Sequence, residues 1–134
     1  MYEIASNPED MKPDVFHKTC PARFLLNKIA GKWSLLIIDA LQMGPVRNGE
    51  LKRRVEGISQ KMLTQTLREL GDMRLISRLD MKTIPPHVEY SLTALGVELC
   101  EKICALDRWV EDNMSELIEH NKSIEIKRVD KLSC

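Results

Sequence analysis

Two sets of residues in this chain could do chemistry. The first lies between Gly57 and Gly71, in the stretch GISQKMLTQTLRELG. Leu63, Leu67 and Leu70 recur there at i, i+4 and i+7, which gives one apolar helical face. The opposite face carries Gln60, Lys61, Thr64, Gln65 and Arg68, none of them acidic. Gln and Arg can pair bidentately with adenine and guanine edges, and Lys or Thr can hold phosphate. A face without carboxylates approaches a polyanion unopposed. An ordinary amphipathic surface helix has the same pattern, so this helix alone leaves both readings open. Arg68 could equally pair with Asp72, four residues on.

The second set is the cysteines. Cys20 stands directly before Pro21, a residue favoured at the first helical position. Unpaired N–H groups and the helix dipole at such an end stabilise a thiolate, and Lys18 and Arg23 add positive charge nearby. The alternative is a buried, inert thiol. Cys100 and Cys104 are spaced i, i+4 and could meet their symmetry mates or Cys20 of a second copy, or simply fill core. Cys134 is terminal. His17 with Cys20, and the Cys100/Cys104 pair, are too few and too scattered for a zinc site, so neither metal nor cofactor is expected.

The elements that must position these groups follow from periodicity and punctuation. Residues 1–19 are polar, contain Pro8 and Pro13, and read as an arm. A helix opens at Cys20-Pro21, with Phe24, Leu25 and Ile29 as its apolar face. A second runs from about Lys32 to Gln42 and offers Trp33, Leu36, Ile37 and Leu41 to the core. Gly44-Pro45 is a turn, Val46-Arg47 a short extended piece, and Asn48 or Gly49 the cap of a short helix over Glu50 to Val55. Ser59 caps the fourth helix, since its hydroxyl can accept a backbone N–H of the first turn. Two helices joined by a short Gly-containing turn make a helix-turn-helix.

Beyond Gly71 the period changes. Leu75, Ser77, Leu79 and Met81 alternate on one side of a strand. Pro85-Pro86 breaks it, and Val88, Tyr90 and Leu92 alternate again, completing a β-hairpin whose tip carries Lys82 and His87. Thr93 caps a long helix with Leu95, Leu99, Ile103, Leu106 and Val110 in one stripe. A stripe longer than one small domain needs is commonly a dimer seam, though it can also lid its own core. The segment 115–134 starts amphipathic, with Leu117 and Ile118, and then turns irregular. The expected fold class is mainly α with a small β-hairpin wing (α+β): a winged helix-turn-helix.

Composition narrows the partners. At 134 residues, 43% hydrophobic and 30% charged, the chain reads as one soluble globular domain. Lys+Arg and Asp+Glu are both 20, which argues against a simple polycation. Distribution matters more: nine cations against five anions lie between Arg47 and Lys82, and three against eight between Glu98 and Glu125. A basic middle and an acidic C-terminal third imply that one face meets phosphate. No signal peptide and no apolar stretch of membrane-spanning length is evident, so a cytoplasmic protein with reduced cysteines and no membrane partner is expected. A Gly-rich phosphate loop and a Ser/His/Asp grouping are both missing, and His17, His87 and His120 lie far apart in sequence, which argues against an enzyme.

The detailed motifs resemble the HxlR-type family of bacterial regulators, within the MarR-like superfamily. They are Cys20-Pro21, Gly31-Lys32-Trp33 with Leu35-Leu36-Ile37, Gly44-Pro45, Arg47, Glu50-Leu51, Gly57-Ile58-Ser59 and Leu63-Thr64. Leu67-Arg68-Glu69-Leu70, Pro85-Pro86, Val88 to Thr93 and Leu95-Gly96 extend the likeness to about Met114. Together the motifs are specific, although each alone is weak. Residues 20–114 then form the DNA-binding domain with its dimerisation helix, between the arm and a partly helical tail. The chain departs from the family pattern at Asn48-Gly49, where an aromatic residue and a Ser cap are usual, and at Arg74, where Gly is common.

The resemblance implies a homodimeric, sequence-specific transcriptional regulator on an inverted-repeat operator of double-stranded DNA, dimerising through its N- and C-terminal helices. Ser59, Gln60, Lys61, Thr64, Gln65 and Arg68 would meet the DNA from the reading helix, with Arg47, Arg78, Lys82 and His87 as flanking contacts; Lys52 and Arg53 are further phosphate candidates. It further implies that Cys20 senses an oxidant or an electrophile such as a quinone. Two alternatives stand beside this: a winged-helix regulator gated by a non-covalent small-molecule effector, and a winged helix used only for protein contact.

Overall fold

The computed structural model describes residues 12–119. Its elements run α1 Pro21–Ile29, α2 Lys32–Ala40, β1 Val46–Arg47, α3 Asn48–Arg54, α4 Gln60–Asp72, β2 Ile76–Asp80, β3 Val88–Leu92, α5 Ala94–Asp112 and α6 Met114–Glu119. The first eleven residues of the expected arm, and residues 120–134 of the expected tail with His120 and Cys134, lie outside the described residues.

One core joins the helices to the sheet. Ile37, Ile38 and Leu41 of the α2 region, Leu51 and Val55 around α3, and Leu63, Leu67 and Leu70 of α4 are buried together, with Leu75, Ile76, Cys100 and Ile103. On α2 the buried positions are Ser34, Ile37 and Ile38, with Leu41 just beyond, so the inward face follows i, i+3, i+4, i+7. Leu36, expected in the core, lies off that face and is exposed, and Ile38 takes its place. The α1 helix buries no residue; Phe24, Leu25 and Leu26 are all exposed.

The sheet has three strands in the order β1-β3-β2, all antiparallel. Val46 pairs with Tyr90 and Arg47 with Glu89, so the short extended piece becomes a third strand beside the expected hairpin. The same pairing shifts the start of α3. Arg47 ends the strand at φ −74°, ψ 153° and is itself the N-cap, without a side-chain cap bond; α3 therefore begins at Asn48, two residues before the expected Glu50.

Two junctions hold the sheet to the helices. Arg74, at φ 60°, turns the chain from α4 into β2 in the left-handed region that favours glycine. Thr93 Oγ1 donates to the carbonyl oxygens of Arg74 and Leu75 and accepts the Gly96 N–H at 3.0 Å, so one hydroxyl ties that turn to the start of α5. Leu75 and Ile76 are both buried here, whereas Leu79 and Met81 are exposed. The inward position of β2 is thus Ile76, one residue out of step with the expected Leu75–Met81 face, because only the first strand residue lies beneath α4. Along α5 the expected single stripe divides: Ile103 and Leu99 pack on the core, while Leu95, Leu106 and Val110 remain exposed.

Candidate nucleic-acid interface

The fourth helix is anchored by one face and capped at its start. Ser59 Oγ accepts the Met62 N–H at 3.0 Å and fixes the helix start. Leu63, Leu67 and Leu70 anchor the inner face, with buried Thr66 donating its hydroxyl to the Met62 carbonyl at 2.7 Å. Gln60, Lys61, Thr64, Gln65 and Arg68 are all exposed along the outer side. Gln60 Nε2 donates to Thr64 Oγ1 at 3.1 Å, which lays the first amide along the helix. Of the two carboxylates on the helix, Glu69 and the exposed Asp72 at its end, Glu69 turns back to Lys28 of α1 at 2.6 Å. That ion pair takes a negative charge off the outer face and docks α1 on α4. Among the described residues Arg68 pairs with no carboxylate, so the alternative bond to Asp72 is not made. Its neighbours are instead Arg78 and Tyr90, across a groove of about 330 Å³ between α4 and the sheet, with Asp72 also on the rim.

The flanking cations differ in freedom. Arg47 and Lys52 are exposed. Arg53 and Arg54 both grip Glu50, at 2.7 and 3.4 Å, and the Arg53 hydrogen bond holds the Glu50 carboxyl below its ordinary range. Arg54 also donates to the Ala40 carbonyl, so α3 spends two of its three cations on its own structure. Lys82 is exposed in the β2–β3 loop at φ 52°, its N–H bonded to Asp80 Oδ1. His87 does not share that tip. It is half-buried at the base of the loop, with Nε2 2.9 Å from Glu89 Oε2.

The thiols occupy two contrasting places. Cys20 is the N-cap of α1 and is buried beneath the turn formed by residues 14–19. Its Sγ accepts the Asp14 N–H at 3.3 Å. That bond, opposed by burial and assisted by the Ala22 and Arg23 N–H groups, lowers the thiol pKa. Cys100 and Cys104 face α2 instead. Burial pushes the Cys100 thiol up, and burial with a hydrogen bond to Asp39 pushes Cys104 up to about 12. Cys104 Sγ lies 3.5 Å from Asp39 Oδ1 and 3.9 Å from Cys100 Sγ. A hydrogen bond to Asp39, with burial, likewise raises Asp107 to about 6. Sequence reading paired the two cysteines and missed Asp39, which comes from another helix and has no periodic link to them.

Comparison with known proteins fits this arrangement. The model for the HxlR-like helix-turn-helix family matches residues 28–118. The HTH-type transcriptional regulator YtfH of Escherichia coli is 36% identical over 118 residues, covering 88% of this chain and 94% of that protein. The structure of YtfH from Salmonella typhimurium superposes with a TM-score of 0.77 at 37% identity, over 81% of this chain and 96% of that one. The redox regulator HypR in its reduced form gives a TM-score of 0.69 at 35% identity, over 75% and 99% of the two chains. No helix among the described residues is long and apolar enough to cross a membrane. The chain therefore belongs to the HxlR-like helix-turn-helix family of transcriptional regulators.

Proposed function

We propose that this regulator acts in the cytoplasm as a homodimer that reads an inverted-repeat operator through α4. The observation that carries the reading is the outer face of that helix: five exposed polar or cationic side chains, with Glu69 drawn away by Lys28. Lys61 and Gln65, one helical turn apart, are assigned to base edges in the major groove, with Gln60 and Thr64 beside them. Arg68 and Arg78 share one groove and are assigned to phosphate, as are Ser59, Arg47 and, on the wing, Lys82. His87 stands behind Lys82, held by Glu89, and contributes less. Phe24 and Leu25 of α1 and Leu106, Trp109 and Val110 of α5 are apolar and exposed, which supports a second copy as their cover. A twofold dimer sets its reading helices about 34 Å apart, one turn of DNA.

The test is binding by the full chain to an operator selected from random duplex DNA, read by fluorescence anisotropy. Gln65→Ala is expected to cost about 1–3 kcal/mol on the operator and little on unrelated DNA. Lys82→Ala is expected to weaken both alike and to flatten the salt dependence, since it removes a cation assigned to phosphate. Loss confined to non-specific DNA would contradict the base-reading role. Undiminished function with Lys61 and Gln65 both changed would favour a winged helix used only for protein contact.

A switch at Cys20 is the second part of the reading. Its support is the lowered thiol pKa at the α1 N-terminus and the likeness to HypR, a redox regulator. Oxidation or alkylation by an electrophile would disturb the turn at residues 14–19 and, through α1, the Lys28–Glu69 tie to the reading helix. Operator binding that responds to oxidant in wild type but not in Cys20→Ser is the expected result. A response surviving in Cys20→Ser would point to another effector, such as a non-covalent small molecule.

A further inference from the structure

We propose that Asp39, Cys100 and Cys104 form a binding site for one borderline-soft divalent cation of the zinc type, bridging α2 and α5. Sequence spacing gave only two donors here, and the fold supplies the third. One ligand atom from each residue lies within 4.8 Å of the other two. Two of the three edges are 3.9 Å between the sulfurs and 3.5 Å from Cys104 Sγ to Asp39 Oδ1. A tetrahedral ion with Zn–S of about 2.3 Å and Zn–O of about 2.0 Å requires edges of about 3.8 Å and about 3.5 Å. Two of the three edges thus already match a zinc tetrahedron, and the third, Cys100 Sγ to an Asp39 oxygen, lies within 4.8 Å and closes as the ion enters.

The surroundings suit such an ion. Cys100 and Cys104 are one turn apart on a single helix, and Cys100 is buried, so the sulfurs are held in place by the core. Both line a cavity of about 320 Å³ together with Gln42, Glu101 and Arg108, which gives solvent access to the two sulfurs, while Asp39 reaches Cys104 from outside that lining. Three protein ligands and one water is a common zinc arrangement. Two thiolates and a carboxylate overbalance a dication by one negative charge; Arg108 at the same cavity opposes it, while Glu101 there and Asp107, hydrogen-bonded to Asp39, add to it. The proton balance is simple. The thiol hydrogens, now directed by Cys100 to the Ile38 carbonyl and by Cys104 to Asp39, leave as two protons to solvent when the ion enters. No electron is transferred.

The experiment uses the full chain, stripped with a chelator and kept under a phosphine reductant, then titrated with Co²⁺ and back-titrated with Zn²⁺. One equivalent of Co²⁺ per chain should give tetrahedral visible bands and a thiolate-to-cobalt charge-transfer band, and Zn²⁺ should bleach both. Cys104→Ser and Asp39→Asn, both at half-buried positions, should each weaken zinc binding by more than the roughly 10–100-fold that an outer partner costs. Cys20→Ser should keep the bands, and circular dichroism will separate loss of the site from loss of fold. A melting temperature raised by Zn²⁺ in wild type and unmoved in both site variants would match an ion that ties α2 to α5. Missing thiolate bands, bands retained in either site variant, or bands lost in Cys20→Ser would overturn the proposal.

Discussion

Cys20 and Cys104 are chemically the same group in opposed surroundings, and that contrast is testable. The backbone N–H of Asp14 favours the charged form of Cys20, whereas burial and the Asp39 carboxylate disfavour that of Cys104. A thiol reacts as its thiolate, so a lowered pKa moves the onset of reaction to lower pH. Iodoacetamide labelling of the metal-free native chain, followed by peptide mapping across pH, should therefore modify Cys20 before Cys104. The Cys20 profile should also level off at lower pH. Burial of Cys20 slows both limbs without changing the order, because its cover is a short turn whose Arg23 Nη1 to Phe16 carbonyl bond is exposed and 3.5 Å long. Labelling of Cys104 first would refute the assignment. At this scale the sequence was readable where the physics is local. Pro21 marks the helix start where Cys20 sits, although the first cause of the lowered thiol pKa, the Asp14 N–H, was not legible, and Ser59 and Thr93 cap their helices as side-chain chemistry requires. It was silent where partners meet only through the fold: Asp39 lies 65 residues from Cys104, and Glu69 lies 41 from Lys28.

Among the elements, the joint between β2 and α5 decides how firmly the β2–β3 hairpin is set against α4. Gly96 packs so closely that an added Cβ would stand 2.0 Å from the Leu75 carbonyl oxygen and 3.1 Å from its carbon. Neither backbone atom can yield without disturbing the Thr93 N–H to Leu75 carbonyl bond, at 3.0 Å, and the Thr93 hydroxyl bonds beside it. Gly96→Ala should therefore cost about 1–3 kcal/mol, the usual range for overpacking, seen as a lower urea midpoint. Gly71→Ala is the control, since nothing lies within 4 Å of its would-be Cβ on α4. It should gain about 0.5–1 kcal/mol from helix propensity. Equal effects at the two sites would mean that the Leu75 contact is not tight. Helical elements were legible from their 3.6-residue period, with α4 the clearest. The strand β1 was not, because two residues carry no period and Val46-Arg47 is a strand only by virtue of Tyr90 and Glu89. For the same reason the start of α3 was misplaced: its cap is set by where that pairing ends.

At the scale of the whole molecule, the unresolved balance is an apolar surface on a charged protein. Trp109 is 54% exposed and Leu106 48%, on the same long helix whose Leu99 and Ile103 reach the core. Here α5 buries one edge and leaves the neighbouring edge apolar and exposed, and sequence periodicity merges both edges into one stripe. This is why the stripe was legible and its division was not. If the outer edge is the twofold seam, every substitution there acts twice, once in each subunit. Loss of one large apolar side chain from a buried site costs about 1.5–3 kcal/mol, so a symmetric pair costs about 3–6 kcal/mol. Leu106→Glu should then raise the dimer dissociation constant by roughly 10²–10⁴-fold, measured by sedimentation equilibrium. The monomer should keep its melting cooperativity, because Leu106 is not part of the core cluster. Operator binding should fall with dimerisation, since a single reading helix covers one half-site, and should recover at protein concentrations that restore the dimer. An unchanged dimer in Leu106→Glu would place the seam elsewhere, with the exposed α1 face, Phe24, Leu25 and Leu26, as another apolar surface on which to build it.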